Sequence, residues 1–138
     1  MAETVQVVDY YCLTSPDKPG EGVRILSVFR DASVNLLAVH AFPDARRWQV
    51  DIVPENGTAF TRAARKAKLK FKKKKAFFVT GYDRIGVLAD MLDEVAKAKI
   101  NITAVTTLSA KWGQYSAIFW VKSKDVSRTS KALGATIR

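Results

Sequence analysis

The hydrophobic positions of the chain fall into two copies of one pattern, set 66 residues apart. Gly22, Ile25, Leu26, Phe29 and Ala32 stand at i, i+3, i+4, i+7 and i+10, the spacing of one helical face, and Leu88, Met91, Leu92, Val95 and Ala98 repeat it. After each helix comes an alternating run that predicts a strand with one buried face: Leu36, Ala38, His40 and Phe42 first, then Ile102, Ala104, Thr106 and Leu108. Turns at 43–46 and 110–113 lead into second strands at 47–53 and 114–121. A β-rich run precedes each helix, at 5–13 and 76–80, and a further helical segment follows each second strand, at 58–67 and 126–133. Residues 69–75 supply a last strand for the first copy, whereas only 135–138 remain for the second.

Each copy therefore spells βαββαβ. Right-handed crossovers place both helices of such a unit over the same sheet face. The predicted fold class is α+β: two tandem ferredoxin-like βαββαβ units, residues 1–75 and 76–138, each an antiparallel sheet with helices on one face, the second with a truncated last strand. Units of about 65 residues bury too little surface to be comfortably stable alone. The short last strand leaves a poorly guarded edge, so self-association, as a dimer, is expected.

A polar signature repeats at the same offset: Asp17, Gly20 and Asn35 in the first copy, Asp83, Gly86 and Asn101 in the second. A free amino acid carries an ammonium and a carboxylate on one carbon, so its site needs an acceptor and several donors close together. The first amides of a helix are unpaired and sit at the positive end of its dipole, which suits the carboxylate. Asp83 can accept from the ammonium, and the Asn101 amide can both donate and accept. Structural roles fit the same residues. Asp83 can cap the amides of Ile85 or Gly86; Asn101 can occupy a left-handed turn; Gly86 can mark close packing of the first helical turn on the sheet. The sequence reading favours binding because Asp and Asn, 18 residues apart, are expected to return to one sheet edge in both copies.

The stretches Asp83–Leu88 (DRIGVL), 17–20 (DKPG) and 99–102 (KINI) resemble the ACT domains, small βαββαβ ligand-binding modules of amino-acid metabolism, and the resemblance spans nearly the whole chain as two tandem copies. It implies a non-enzymatic regulatory protein that holds a small amino-acid effector near unit or subunit interfaces. The implied contacts are Asp83, Arg84, Ile85, Gly86, Asn101 and Ile102 in the second copy, with Asp17, Lys18, Gly20, Asn35 and Leu36 in the first. A regulated enzyme is the partner such a protein would serve.

Net charge is +10, and nine of the 23 basic residues lie between Arg62 and Lys75 with no acid among them. Lysines alternating with Leu69 and Phe71 are what a guarded strand edge looks like; a patch for nucleic acid or another anionic partner through 62–75 is the alternative. An acylphosphatase-like enzyme would need Arg84 and Asn101 together, with Asp83 repelling the anion. One cysteine and one histidine exclude an internal disulfide and a Cys/His metal cluster, and no cofactor is called for. His40 reads as a half-buried strand residue and Cys12 as core rather than nucleophile. No apolar run approaches the ~18 residues of a membrane span. Met1 and Ala2 open no leader pattern, so a cytoplasmic protein is expected.

Overall fold

A computed structural model describes residues 3–138, with the backbone alone for Lys111; Met1 and Ala2 lie outside the described residues. The order is β1 (Thr4–Pro16), α1 (Glu21–Asp31), β2 (Leu36–Asp44), β3 (Arg47–Pro54), α2 (Gly57–Lys66), β4 (Lys72–Tyr82), α3 (Val87–Lys97), β5 (Ile102–Ala110), β6 (Gln114–Val121), α4 (Val126–Leu133) and β7 (Thr136–Ile137). The protein is α+β; β1 with β3, β2 with β3, β4 with β6 and β5 with β6 pair antiparallel, and β7 runs parallel to β1.

The chain divides into two compact units, one of residues 9–74 and one made of the residues up to Val8 together with those from Lys75 onward. In the first, β2, β3 and β1 lie side by side, and Phe60 stacks on Tyr11 at 4.4 Å and on Phe29 at 4.3 Å. Both α1 and α2 contribute to that core. In the second the order is β1, β4, β6, β5. Its core joins Met91 and Val95 of α3 and Leu133 of α4 to Phe77, Val79 and Phe119 of the sheet, and adds Val5 and Val7 from β1.

The last strand of the second unit differs from the expectation. The segment Thr136–Ile137 is short, as the sequence indicated, but it does not stand beside β4; the start of β1 does, and β7 pairs outside it through Gln6–Thr136 and Val7–Ile137. Two residues cannot cover a strand edge, whereas the 13 residues of β1 are long enough to contribute to both cores. The unguarded β4 edge invoked for self-association is therefore filled. Residues 69–71 also lie outside any strand, and β4 runs unbroken from Lys72 to Tyr82 where two separate strands were expected.

Each helix ends in a left-handed residue: Ser33, Lys68, Lys99 and Gly134, with φ between 56° and 61°. The next residue donates its amide to the carbonyl five positions back, Val34 to Phe29, Leu69 to Ala64, Ile100 to Val95 and Ala135 to Ser130. That is the Schellman pattern, and each of those next residues is apolar. The left-handed residue is thus Lys99 and not Asn101. A bulge between Leu36 and Ala38, repeated between Ile102 and Ala104, then switches faces. Leu36 joins the core while Ala38, His40 and Phe42 do not, so the alternation read as one buried face is broken at its first step.

Candidate ligand site

The β4–α3 loop brings Asp83 to the end of the sheet. Its amide donates to the Gly113 carbonyl at 2.7 Å, and its carboxylate accepts from Ser109 Oγ at 2.7 Å. Helix α3 opens on Gly86 with φ 79° and no side-chain cap, and α1 likewise on Gly20 with φ 90°. Asp83 is therefore not the helix cap, and its carboxylate is held by the neighbouring strand instead. A Cβ at Gly86 or Gly20 would meet nothing within 4 Å, so these glycines serve a backbone conformation and not close packing on the sheet. Arg84 is engaged by Asp90 at 2.7 Å, and Ile85 is fully exposed. In the first unit Asp17 and Lys18 are exposed at the matching loop, which keeps the same backbone bonds, Glu21 to Lys18 and Arg24 to Gly20.

Asn101 does not join this loop. Tyr82 pairs with Gln114, and Ile102 with Val121. The seven steps of β6 between them place Asn101 and Ile102 about 24 Å from Asp83. The first unit repeats the separation, with Pro16 opposite Arg47 and Leu36 opposite Pro54. Asn35 and Leu36 thus lie at the far end from Asp17. The cause is elementary: a helix that crosses back along its sheet delivers the chain to the opposite end. The expected shared edge is corrected accordingly, and the acylphosphatase pairing of Arg84 with Asn101 falls with it.

What the loop does gather was not picked out from the sequence. Ser109 stands opposite Tyr115 across β5 and β6, and Tyr115 opposite Gly81 across β6 and β4. An open depression of ≈ 290 Å³ borders this end, lined by Thr80, Gly81, Tyr82, Gln114 and Tyr115 among others. Around it Tyr82, Leu108 and Trp112 are exposed, Trp112 at φ 72° in the β5–β6 turn. A larger one of ≈ 530 Å³ lies by Glu3, Glu94 and Gly134. It contains none of the loop residues.

A second polar row crosses the first unit, where Cys12 faces Asp51 and Asp51 faces His40 on β1, β3 and β2. Asp51 is buried and accepts from Gln49 Nε2 at 3.0 Å. Burial, with Asp51 adding to it, pushes the Cys12 thiol up to about 11, and Lys74 and Lys72 only partly offset this. Cys12 is half-buried and belongs to neither core, which corrects its reading as a core residue, while the raised pKa is consistent with its not being a nucleophile. At pH 8 its alkylation by iodoacetamide should run about 100-fold slower than that of a thiol of ordinary pKa, since only the thiolate reacts. A rate close to that of free cysteine would mean the row is open and the carboxylate elsewhere.

Among the described residues no helix is long and apolar enough to cross a membrane, and no group of three or more His, Cys, Asp or Glu is placed to hold a metal ion. No protein-family model matches the sequence, and no curated protein does. Solved structures do. A crystal structure of a protein from Bacteroides thetaiotaomicron superposes with TM-score 0.82 at 12% identity, covering 94% of this chain and 88% of the other. The regulatory subunit of aspartate kinase from Thermus thermophilus, in a ligand-free form, gives 0.63 at 16% identity over 97% of both chains. That from Thermus flavus gives 0.58 at 12% identity over 97% of this chain and 95% of the other. The fold is ACT-like. At these identities the likeness speaks for architecture alone, and the ACT-like frame is what sets the β4–α3 loop and the α3 N-terminus at one end of the second unit.

Proposed function

We propose that the chain is a non-catalytic regulatory protein built from two tandem ferredoxin-like units, and that it binds a small amino acid at the β4–α3 loop. One observation carries this reading: Asp83 is fixed by Ser109 and by its own amide without being spent on capping, beside a helix N-terminus that no side chain caps. The carboxylate keeps lone pairs for a ligand ammonium, and the α3 amides suit a ligand carboxylate. Two structures sharing this fold are regulatory subunits of an enzyme. On that footing the partner is an enzyme of amino-acid metabolism, met in the cytoplasm. The exposed Ile85 and Trp112 beside the loop would let an occupied site alter such a contact.

A thermal-shift screen of the full chain against the twenty amino acids tests the proposal. A ligand at about 100 times its dissociation constant adds roughly 2.7 kcal/mol, a shift of several degrees for a protein of this size. No shift with any amino acid at millimolar concentration would remove the reading.

The basic segment supports a structural role. Pairing of β4 with β6 begins at Phe77, leaving Lys72–Lys74 on an edge of the first unit, where Lys73 meets Asp9 at 3.5 Å and Arg65 lies over Phe71. Replacing Lys72, Lys73, Lys74 and Lys75 by Gln should leave amino-acid affinity within about 2-fold, because the charges lie far from Asp83 and are screened beyond about 10 Å. Solubility should fall. Loss of a salt-sensitive interaction with RNA or DNA shown by the parent chain would instead favour the adaptor alternative.

A further inference from the structure

Tyr115 is 2% exposed, and its hydroxyl is buried with no hydrogen-bond partner among the described residues. The sequence around it explains how it came to lie there. Gly81, its partner on β4, has no side chain, so the ring lies on the strand: a Cβ at Gly81 would come within 3.0 Å of the ring and 3.1 Å of the Glu3 side chain. Glu3, Arg84 and Asp83 all act on the hydroxyl; burial raises its pKa most, Glu3 next, while Arg84 opposes and Asp83 adds a little. Ser109, which holds Asp83, is the residue directly opposite Tyr115 on β5. Buried hydroxyls in folded proteins are almost always paired, so an unpaired one on a residue that stands between Gly81 and the serine holding Asp83 is a contact awaiting a partner.

The first unit is built differently at the same register. Trp48 stands opposite Ser15 and Pro43, the positions of Gly81 and Ser109. Its ring leans on the helix instead of the strand, where a Cβ at Gly22 would sit 2.9 Å from it. That accounts for a glycine on an otherwise apolar helical face whose counterpart is Leu88. With proline in place of Ser109 and tryptophan in place of Tyr115, this end offers neither hydroxyl, and Asp17 has no counterpart of the serine that fixes Asp83.

We propose that the Tyr115 hydroxyl is the specificity contact of the second unit's loop site, pairing with a hydrogen-bonding side chain of the bound amino acid, and that each chain takes one such ligand there and none at the matching loop of the first unit. This rests on the reading of Asp83 given above. A site built to pair a polar group discriminates strongly against the analogue that lacks it, because the protein's own buried group is then left unpaired.

The test is calorimetric titration of the full chain, Tyr115→Phe and Asp83→Asn with pairs that differ in a hydrogen-bonding side chain, L-serine against L-alanine and L-asparagine against L-leucine. The parent should bind the polar member of at least one pair roughly 10-fold or more tighter, with one site per chain. Tyr115→Phe should melt no lower than the parent, since it removes an unpaired buried hydroxyl, and should bring the two members within about 3-fold of each other. Preserved discrimination in Tyr115→Phe, a lowered melting temperature, or two sites per chain would overturn the proposal. Asp83→Asn separates the two levels of the argument. If it binds like the parent, or the parent binds none of the four, the loop site itself is refuted. If it weakens every ligand while Tyr115→Phe still discriminates, the role of Tyr115 alone falls.

Discussion

Asp83→Asn should weaken amino-acid binding by 10-fold to 100-fold while leaving the melting temperature of the unliganded protein nearly unchanged. The substitution keeps an oxygen that can accept from Ser109 and leaves the bond from the residue 83 amide to Gly113 intact, so the loop retains its anchors. What disappears is the negative charge, and a hydrogen bond between charged groups contributes about 1.5 to 3 kcal/mol. Capping is not at stake, because α3 starts at Gly86 with no side-chain cap. Titration calorimetry of both proteins with the strongest ligand from the screen decides the matter. Equal affinities would leave Asp83 as a loop anchor only.

Much of this architecture was legible because the repeat acts on local chemistry. Helix faces spaced at i, i+3, i+4 and i+7 and glycines at helix starts are fixed within a turn or two of chain, and the offset of 66 brought them out twice over. Boundaries such as 126–133 and 114–121 coincide with α4 and β6 for that reason. The candidate site was legible only in part. Asp83 and Gly86 lie on one loop, but Ser109 and Tyr115 reach it through strand register, which depends on which residues of β4, β5 and β6 stand opposite one another. Nothing local to Ser109 distinguishes it from other strand serines. Asn101 was misplaced for the converse reason: nearness to a repeated motif stood in for the length of α3, whose 11 residues at 1.5 Å rise carry the chain about 16 Å back along the sheet.

The strand exchange was invisible for a similar reason. Alternation along β1 reads the same whether Val5, Val7, Tyr11 and Leu13 line one core or two, yet the first pair belongs to the second unit's core and the other pair to the first's. A fragment of residues 75–138 alone should therefore fail to fold cooperatively, although it holds every helix and long strand assigned to that unit except the start of β1. It loses Val5 and Val7, worth about 1.5 to 3 kcal/mol each when buried, and it exposes the β4 edge and the β7 residues that pair with Gln6 and Val7. A unit of this size has only about 4 to 10 kcal/mol in all. Joining residues 3–8 to Arg138 through a Gly/Ser linker of about ten residues, long enough to span the start of β1, should restore a sharp thermal transition. Near-ultraviolet circular dichroism and denaturant titration of the two fragments read the difference. If the bare 75–138 fragment unfolded as cooperatively and at the same midpoint as the linked one, β1 would be dispensable to the second core and the boundary would lie at 75/76, as the repeat alone suggested.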